Sequence, residues 1–479
     1  MPSLKKNFFY SVLLTLANYI FPLITYPYVS RVLGVTNIGV CNFVDSIVNW
    51  FLVFSTMGIS VLGVREIAAA RDNRGDRDRV FSSLLFLNAM TTFLAAAALL
   101  VAIFVVPSLV QYRKLLLVGV AKLIANGLFL EWLYRGIEEF QYITNRSILI
   151  KTLYVVSVFL FVRKPEDYGV YYLLLTLAVV LNALVNALYS RKFVSFSMAL
   201  VQTREFVRPY FILGVSLVFT SIYTTLNVVY LGFRTSAEQV GYYTSATKIL
   251  TMIMGLFTAC TTVLLPRMSA VLSEGKTDEF KSYLDKTFNI LFLVGIPIVI
   301  LMEVAAADII RVISGLGYEG AIIPMRTVAP LVLIIGLEQI LIIQILTPMK
   351  RDRQIITNSA VGAGVAILSA LLLVGPLQAE GAAVVWLFAE LAVFLCALFA
   401  VFGKALDSFP WKTLLKDLLL YVPLALLLVA VHLLPFPNAF VRLGVDMVIT
   451  GIYFVLLSCL VVKDPVILSV VRPLFVKGK

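Results

Sequence analysis

Along most of the chain apolar residues run on without interruption instead of alternating with polar ones. Runs of roughly 18 to 24 residues recur from one end to the other, each long enough at 1.5 Å per residue to cross a hydrocarbon layer of about 30 Å. About fourteen are present, at approximately 8–28, 42–63, 83–106, 115–134, 147–162, 169–189, 210–232, 242–265, 287–306, 322–345, 356–374, 382–402, 418–434 and 443–462. Membrane strands alternate and close into barrels, so continuous runs predict helices, whose backbone groups are satisfied internally. The expected fold is therefore all-α, a polytopic membrane protein with about 14 transmembrane helices.

Polar residues interrupt these runs in a pattern. In "IGVCNFVDSIVNWF" (38–51), Asn42, Asp45, Ser46 and Asn49 fall on one helical face. Helix one carries a similar face in Asn7, Ser11, Thr15, Asn18 and Thr25, and helix seven in Ser216, Thr220, Thr224 and Asn227.

The pattern is duplicated. A shift of 202 positions places Gly39 on Gly241, Thr56 on Thr258, Arg65 on Arg267 and Asp76 on Asp278. Farther on, "QYITN" at 141–145 faces "QIITN" at 354–358, and Glu131 faces Glu338. Each copy holds six predicted helices, an even number, so both cross the membrane in the same sense and form a parallel repeat. The reading is two pseudo-symmetric six-helix lobes, 1–190 and 210–404, a cytoplasmic linker 191–209, and two additional C-terminal helices with a tail, 405–479. The linker's mixture of apolar and basic residues suits a membrane-surface segment as well as a plain tether.

The shift also carries the stripe of helix two onto helix eight: Asn42 to Thr244, Asp45 to Thr247, Ser46 to Lys248 and Asn49 to Thr251. A single Ser or Thr in a membrane helix is commonly interhelical glue worth about 0.6 kcal/mol. Four related polar faces, with an Asp in one copy and a Lys in the other, point instead to a wetted central cavity, with Asp45 and Lys248 as the leading functional pair. Other charges within the runs are weighed alike. Lys122, one turn from Asn126, reads equally as a cavity cation or a snorkelling side chain. Glu131 and Arg135 are spaced as a local ion pair, as are Arg442 and Asp446. Glu390 has no obvious local partner and reads equally as a proton carrier or as a group packed on a polar neighbour.

Composition closes off other classes. Of 479 residues 61% are hydrophobic and 14% charged, whereas soluble domains carry about 25% charge. The first run is longer than a signal-peptide core and is read as a retained helix. The net charge of +12 is mainly a topology signal, because basic residues favour cytoplasmic loops. With the N-terminus inside, most of the 39 Lys and Arg fall on inside loops, so both termini are expected in the cytoplasm. The loop "VREIAAARDNRGDRDR" (64–79) has no aromatic residue to stack on bases, and no nucleic-acid partner is expected. Cys41, Cys260, Cys396 and Cys459 show no CxxC spacing, and His432 is the single histidine. Without a phosphate loop, nucleophile elbow or HExxH, no enzyme, catalytic residue, metal or cofactor is expected.

Three segments carry a family likeness: "NYIFPLITYPYVSRVLGVTNIGVCNF" (18–43), "GVREIAAAR" (63–71) and "LEWLYRGIEEFQYITNRS" (130–147). They resemble the polysaccharide repeat-unit flippases of the O-antigen type, within the multidrug/oligosaccharidyl-lipid/polysaccharide exporter superfamily, and the likeness extends over nearly the whole chain. The resemblance implies a V-shaped pair of six-helix lobes with two extra helices, alternating access, and a bacterial inner membrane. It implies as cargo an undecaprenyl-pyrophosphate-linked oligosaccharide, moved to the periplasmic leaflet for O-antigen, capsule or exopolysaccharide synthesis beside a polymerase and chain-length machinery. On that implication Lys248, Lys122 and Arg31 are candidates for the diphosphate, and Asn18, Asn42, Asn49 and Asn227 for sugar hydroxyls. Asp45 and Glu390 are candidates for coupling to a proton or sodium gradient. A lipid II flippase and a drug–cation antiporter of the same superfamily are the alternatives; the latter implies twelve helices and a more acidic cavity. A membrane glycosyltransferase would need a carboxylate cluster in a long outer loop, and the outer loops here are short.

Overall fold

The computed structural model describes residues 4–402 and 409–462. Among these every regular element is helical, which makes the chain all-α. Eleven stretches are long and apolar enough to cross a membrane, including Phe9–Ala69 with 61 residues and Asp352–Val401 with 50. These two would be roughly 90 and 75 Å long if straight, more than twice a hydrocarbon thickness. Both are broken by left-handed backbone, the first at Gly34 (φ 75°) and again at Met57, the second at Gln378 (φ 52°). Counted as two crossings each, and with the 37-residue helix Ala237–Ser273, they bring the described crossings to about fourteen. Large apolar side chains such as Phe93, Val105, Phe399 and Leu419 stand outward, as a lipid-facing surface requires.

The described residues fall into two compact units, one within Met1–Thr244 and Ile356–Ala389, the other within Ser245–Ile355 and Glu390–Lys479. The first contains α1 (Leu4–Thr56), α2 (Ile59–Ala69), α3 (Arg74–Val105), α4 (Arg113–Gly127), α5 (Glu131–Gly136), α6 (Phe140–Phe161), α7 (Tyr168–Ser190), α8 (Arg204–Ser221), a π-helical turn at Ile222–Leu226, α9 (Asn227–Arg234) and the first turns of α10 (Ala237–Ser273). Helix α3 opens on Asn73, whose side chain accepts from the amides of Gly75 and Asp76, with Asp76 favourably placed in the positive first turn. Helix α1 packs on α3, α4 and α6.

Two expected spans prove to be broken. Met57 (φ 36°) separates α1 from α2 inside 42–63, and Leu130 (φ 47°) separates α4 from α5 inside 115–134. Hydropathy passes over both because Ser55 and Thr56 beside Met57, and Glu131 beside Leu130, are too few to outweigh their apolar neighbours. Below the breaks lies a core of Leu62, Ile67, Phe81, Leu84, Trp132 and Tyr134. The Trp132 ring lies so close over Gly63 that a Cβ there would stand 2.6 Å from it.

The linker is neither free nor merely superficial, because the start of α3 holds its backbone. Asp78 accepts from Ser195 N at 2.9 Å, Ser83 Oγ from Gln202 N at 2.8 Å, and Arg77 donates to Phe193 O. An Arg79–Glu205 ion pair at 2.5 Å closes the set.

Within this unit the second arm of α1 crosses the start of α10 reciprocally. A Cβ on Gly39 would meet Ala237 O at 1.7 Å, and one on Gly241 would meet Val35 O at 2.3 Å. Val35 and Ala237, like Gly39 and Gly241, are repeat equivalents. Just beyond, Asn42 Nδ2 donates to Thr244 Oγ1 at 2.7 Å, so a residue bonds its own copy. Such exchange of i–j for j–i is what a two-fold axis generates.

The second unit holds the rest of α10, then α11 (Thr277–Val304), α12 (Ala306–Ile313), α13 (Ile322–Val328), α14 (Leu331–Gln339), a π-helical turn at Ile340–Leu346, the C-terminal end of α15 (Asp352–Val401), α16 (Trp411–His432) and α17 (Ala439–Leu456). Phe288, Phe292, Phe394, Phe409 and Tyr421 form its core, and the Tyr421 hydroxyl donates to Leu293 O at 2.7 Å. Here the expected Arg442–Asp446 pair is corrected. Arg442 makes a two-bond fork to buried Asp308 of α12, at 2.5 and 2.6 Å, while Asp446 meets His432 Nε2 at 3.0 Å. A fork-shaped donor prefers a carboxylate that offers both oxygens over a neighbour one turn away.

Candidate functional site

Gly119 explains how the most concentrated polar group of the first unit comes together. A Cβ there would lie 2.4 Å from Val48 Cγ2, so the bare glycine lets α4 approach α1 closely. One turn on, Lys122 meets the α1 face that carries Asp45 and Asn49. Its Nζ donates to Asp45 Oδ1 at 2.6 Å and to Asn49 Oδ1 at 3.0 Å. Asn49 Nδ2 in turn donates to Asp45 Oδ2 at 3.0 Å, which closes a three-membered ring of hydrogen bonds. The Lys122 and Asp45 side chains are 14% and 29% exposed. The ring is neutral as a whole, so its two charges offset one another's desolvation. It can exchange partners in two ways: an anion can replace Asp45 on Lys122, and a cation can replace Lys122 on Asp45.

The remaining sequence candidates are dispersed. Asn42 bonds Thr244, as described, and Asn227 is buried, with Nδ2 donating to Ala382 O at 2.9 Å and Tyr243 OH at 3.2 Å. Asn18 is exposed and accepts from Lys151 Nζ. Arg31, also exposed, donates to Pro27 O at 3.2 Å. Lys248 is an exposed residue of α10 in the second unit. Glu131 and Arg135 form the expected local pair at 2.6 Å.

Glu390, buried at 6% exposure, meets Glu338 of α14 within the second unit. Beside it, Gln339 receives a bond from Thr261 at 3.2 Å and donates to Thr258 at 2.9 Å. Sequence reasoning found Glu390 but not its partner, although Glu338 stood in the repeat comparison. It also found Asp45 and Lys122 separately without joining them. The available signal was a glycine one turn before an intramembrane lysine, facing a helix that carries an intramembrane aspartate.

Comparison with known proteins bears on the family and the fold. Residues 4–272, more than half of the chain, match the family described as "Polysaccharide biosynthesis protein". A protein of Escherichia coli K12 named "Putative O-antigen transporter" is 25% identical over 398 residues, covering 82% of this chain and 95% of the relative. One of the same name from Shigella dysenteriae is 23% identical over 289 residues, covering 58% and 71%. Among solved structures, a lipid II flippase, MurJ, in an inward closed conformation has the same fold at a TM-score of 0.79, with 16% identity over 96% of this chain and 99% of that one. An inward-facing multidrug resistance MATE family transporter aligns at 0.61, with 15% identity over 79% and 92%. With the family matched across its first 272 residues and a shared fold along nearly its whole length, this chain belongs to the polysaccharide biosynthesis protein family of multi-pass membrane proteins.

Proposed function

We propose that this protein is a flippase that carries isoprenoid-diphosphate-linked oligosaccharide repeat units from the cytoplasmic to the periplasmic leaflet, driven by a proton or sodium gradient. The observation that carries the reading is the Asp45–Asn49–Lys122 ring, an ion pair held within a membrane-spanning bundle where charge is otherwise excluded. The names of the curated relatives support the oligosaccharide cargo, and the fold shared with a lipid II flippase supports a lipid-linked one. The charge argument supports both termini and the basic loop 64–79 facing the cytoplasm, and the family likeness supports a bacterial inner membrane.

In this reading the cargo diphosphate takes Lys122, while Lys248 and Arg31 are candidate cations elsewhere along its path, and Asn18, Asn42, Asn49 and Asn227 are candidates for sugar hydroxyls. Asp45, released from Lys122, takes the proton or sodium ion, and the Glu338–Glu390 pair carries a second exchangeable proton. Anion and cation open the same ion pair, so each lowers the cost of binding the other, a coupling that is reciprocal by linkage. A gradient biases the transporter only as far as the ion's affinity differs between its states.

The test is purified protein in liposomes, scored for translocation of a fluorescent isoprenyl-diphosphate oligosaccharide. Transport should fall in Lys122→Ala and Lys248→Ala variants that keep the wild-type melting curve. Retained transport with unaltered ion dependence in Asp45→Asn would overturn the coupling role. A preference for lipid II over the oligosaccharide lipid would change the cargo and leave the mechanism standing.

A further inference from the structure

The motif "QYITNRS" (141–147), singled out in the sequence, has no part in the ring at Asp45. It opens α6 and ends in Arg146, which is 5% exposed. One guanidinium N–H donates to Asn186 Oδ1 and another to Ser147 Oγ, both neutral acceptors. The rings of Phe129 and Tyr142 lie 5.5 and 5.7 Å from the guanidinium carbon. Of the five N–H groups of an arginine, the one on Nε is buried with no acceptor. Among the described residues no carboxylate is in direct ion-pair contact with this side chain, and Glu131 acts on it only through space. A buried charge left this way is expensive, and native structures supply a counter-ion.

Beside Arg146 is a cavity of about 480 Å³, walled by Glu139, Gln141, Tyr142, Asn145 and Tyr189. The two tyrosines are stacked at 3.8 Å and 17°, and the Tyr142 hydroxyl is fixed by donation to Val185 O at 3.2 Å. Lys192 adds a second cation, 4.7 Å from the Tyr189 ring. The remaining wall is apolar and outward: Leu149 is 61% exposed and Val185 38%. Arg146 lies six residues into α6, roughly 9 Å from its start, which is headgroup depth for a helix entering a bilayer. The cavity thus offers a buried cation, a tyrosine wall and polar amides on one side and lipid-facing carbons on the other.

We infer that this cavity binds the phosphate-bearing headgroup of a membrane lipid at the end of the first unit that carries the basic loop 64–79. That end is fixed by contact, since Arg71 of the loop pairs with Glu138 at 2.8 Å, next to Glu139 of the cavity. The phosphate supplies the Nε–H of Arg146 with its missing acceptor and adds a counter-charge in direct contact. Tyr189, Gln141 and Glu139 are suited to a polar substituent on that phosphate, the carboxylate accepting hydroxyls rather than meeting the anion. Two lipids carry this chemistry, an isoprenyl diphosphate and an anionic glycerophospholipid. The inference does not depend on transport and is tested without it.

Full-length protein in non-ionic detergent is titrated with isoprenyl diphosphate, with phosphatidylglycerol and with diacylglycerol, and bound lipid is counted by native mass spectrometry. One phosphate lipid should bind tightly and diacylglycerol should not. Because a charge-assisted fork is lost, Arg146→Gln should weaken binding at least about tenfold. Arg146 is buried, so Asn145→Asp, an exposed mouth position whose new charge repels an anion, serves as the variant that leaves the fold intact. It should weaken either phosphate lipid several-fold and leave diacylglycerol unchanged. Tighter binding of the isoprenyl lipid identifies the cavity as a loading site for cargo; equal or tighter binding of phosphatidylglycerol identifies it as a phospholipid site. Binding of both phosphate lipids that is indifferent to Asn145→Asp, or an equal response with diacylglycerol, overturns the inference. Loss of transport in Lys122→Ala with this binding intact separates the two sites.

Discussion

Replacing Lys122 by methionine keeps the length of the side chain and removes its charge. Asp45 is then left with one donor, Asn49 Nδ2 at 3.0 Å. Stranding one partner of a fully buried pair costs about 3–5 kcal/mol. Because the Asp45 side chain is 29% exposed, water recovers part of this, and we expect about 2–3 kcal/mol. Asp45→Asn strands the cation instead, but Lys122 keeps neutral acceptors at positions 45 and 49, so about 1–2 kcal/mol is expected. The double variant Asp45→Asn with Lys122→Met strands no charge. Its loss should therefore fall short of the sum of the single losses by about 2 kcal/mol, a coupling energy a double-mutant cycle isolates. The assay is reversible unfolding in mixed micelles followed by tryptophan fluorescence. Additivity within about 0.5 kcal/mol would refute the closed ring, since independent sites add to that precision.

Further outcomes follow from other contacts. Gly39→Ala places a methyl group 1.7 Å from Ala237 O and should destabilise by about 2–4 kcal/mol, from overpacking together with loss of the Asn42–Thr244 bond. Gly169→Ala, which meets nothing within 4 Å, should leave the melting temperature unchanged or raised. Arg442→Ala should cost about 2–4 kcal/mol by leaving buried Asp308 with His432, 3.8 Å away, in place of its two-bond partner, and Arg442→Lys should recover only part, because an ammonium cannot reproduce the fork; both are read from thermal unfolding. Glu338→Gln keeps a donor toward Glu390 and should preserve the fold while altering the dependence of liposome transport on the proton gradient.

The fold was readable in the sequence because lipid imposes a coarse rule. A run of about twenty apolar residues has few options but to be a helix, and fourteen runs needed no tertiary information. What hydropathy could not reveal were the breaks at Met57 and Leu130, since the few polar residues beside them do not outweigh their apolar neighbours, whereas the break at Gln378 falls in the gap between the runs 356–374 and 382–402. The site was half readable. Charges in apolar runs identified Asp45, Lys122 and Glu390, but spacing along one helix speaks only of that helix. Arg442 was assigned to Asp446 for that reason, and its true partner, Asp308, lies 134 residues away. Lys122 reaches Asp45 across 77 residues because Gly119 lets two helices touch, which is a property of packing rather than of pattern.

The crossing at Gly39 and Gly241 also bears on how such a chain can change. In two separate identical chains packed about an axis, one substitution at this glycine would put a side chain into the gap from both sides at once. Fusion into a single chain removes that doubling, and each half can then vary alone. Away from the crossing the halves have separated chemically, Asp45 standing opposite Thr247 and Ser46 opposite Lys248 in the repeat. At the crossing both remain glycine, because either substitution alone would close the same gap. Duplication thus left this protein a symmetric joint, while the polar residues beyond it differ between the copies and are free to specialise.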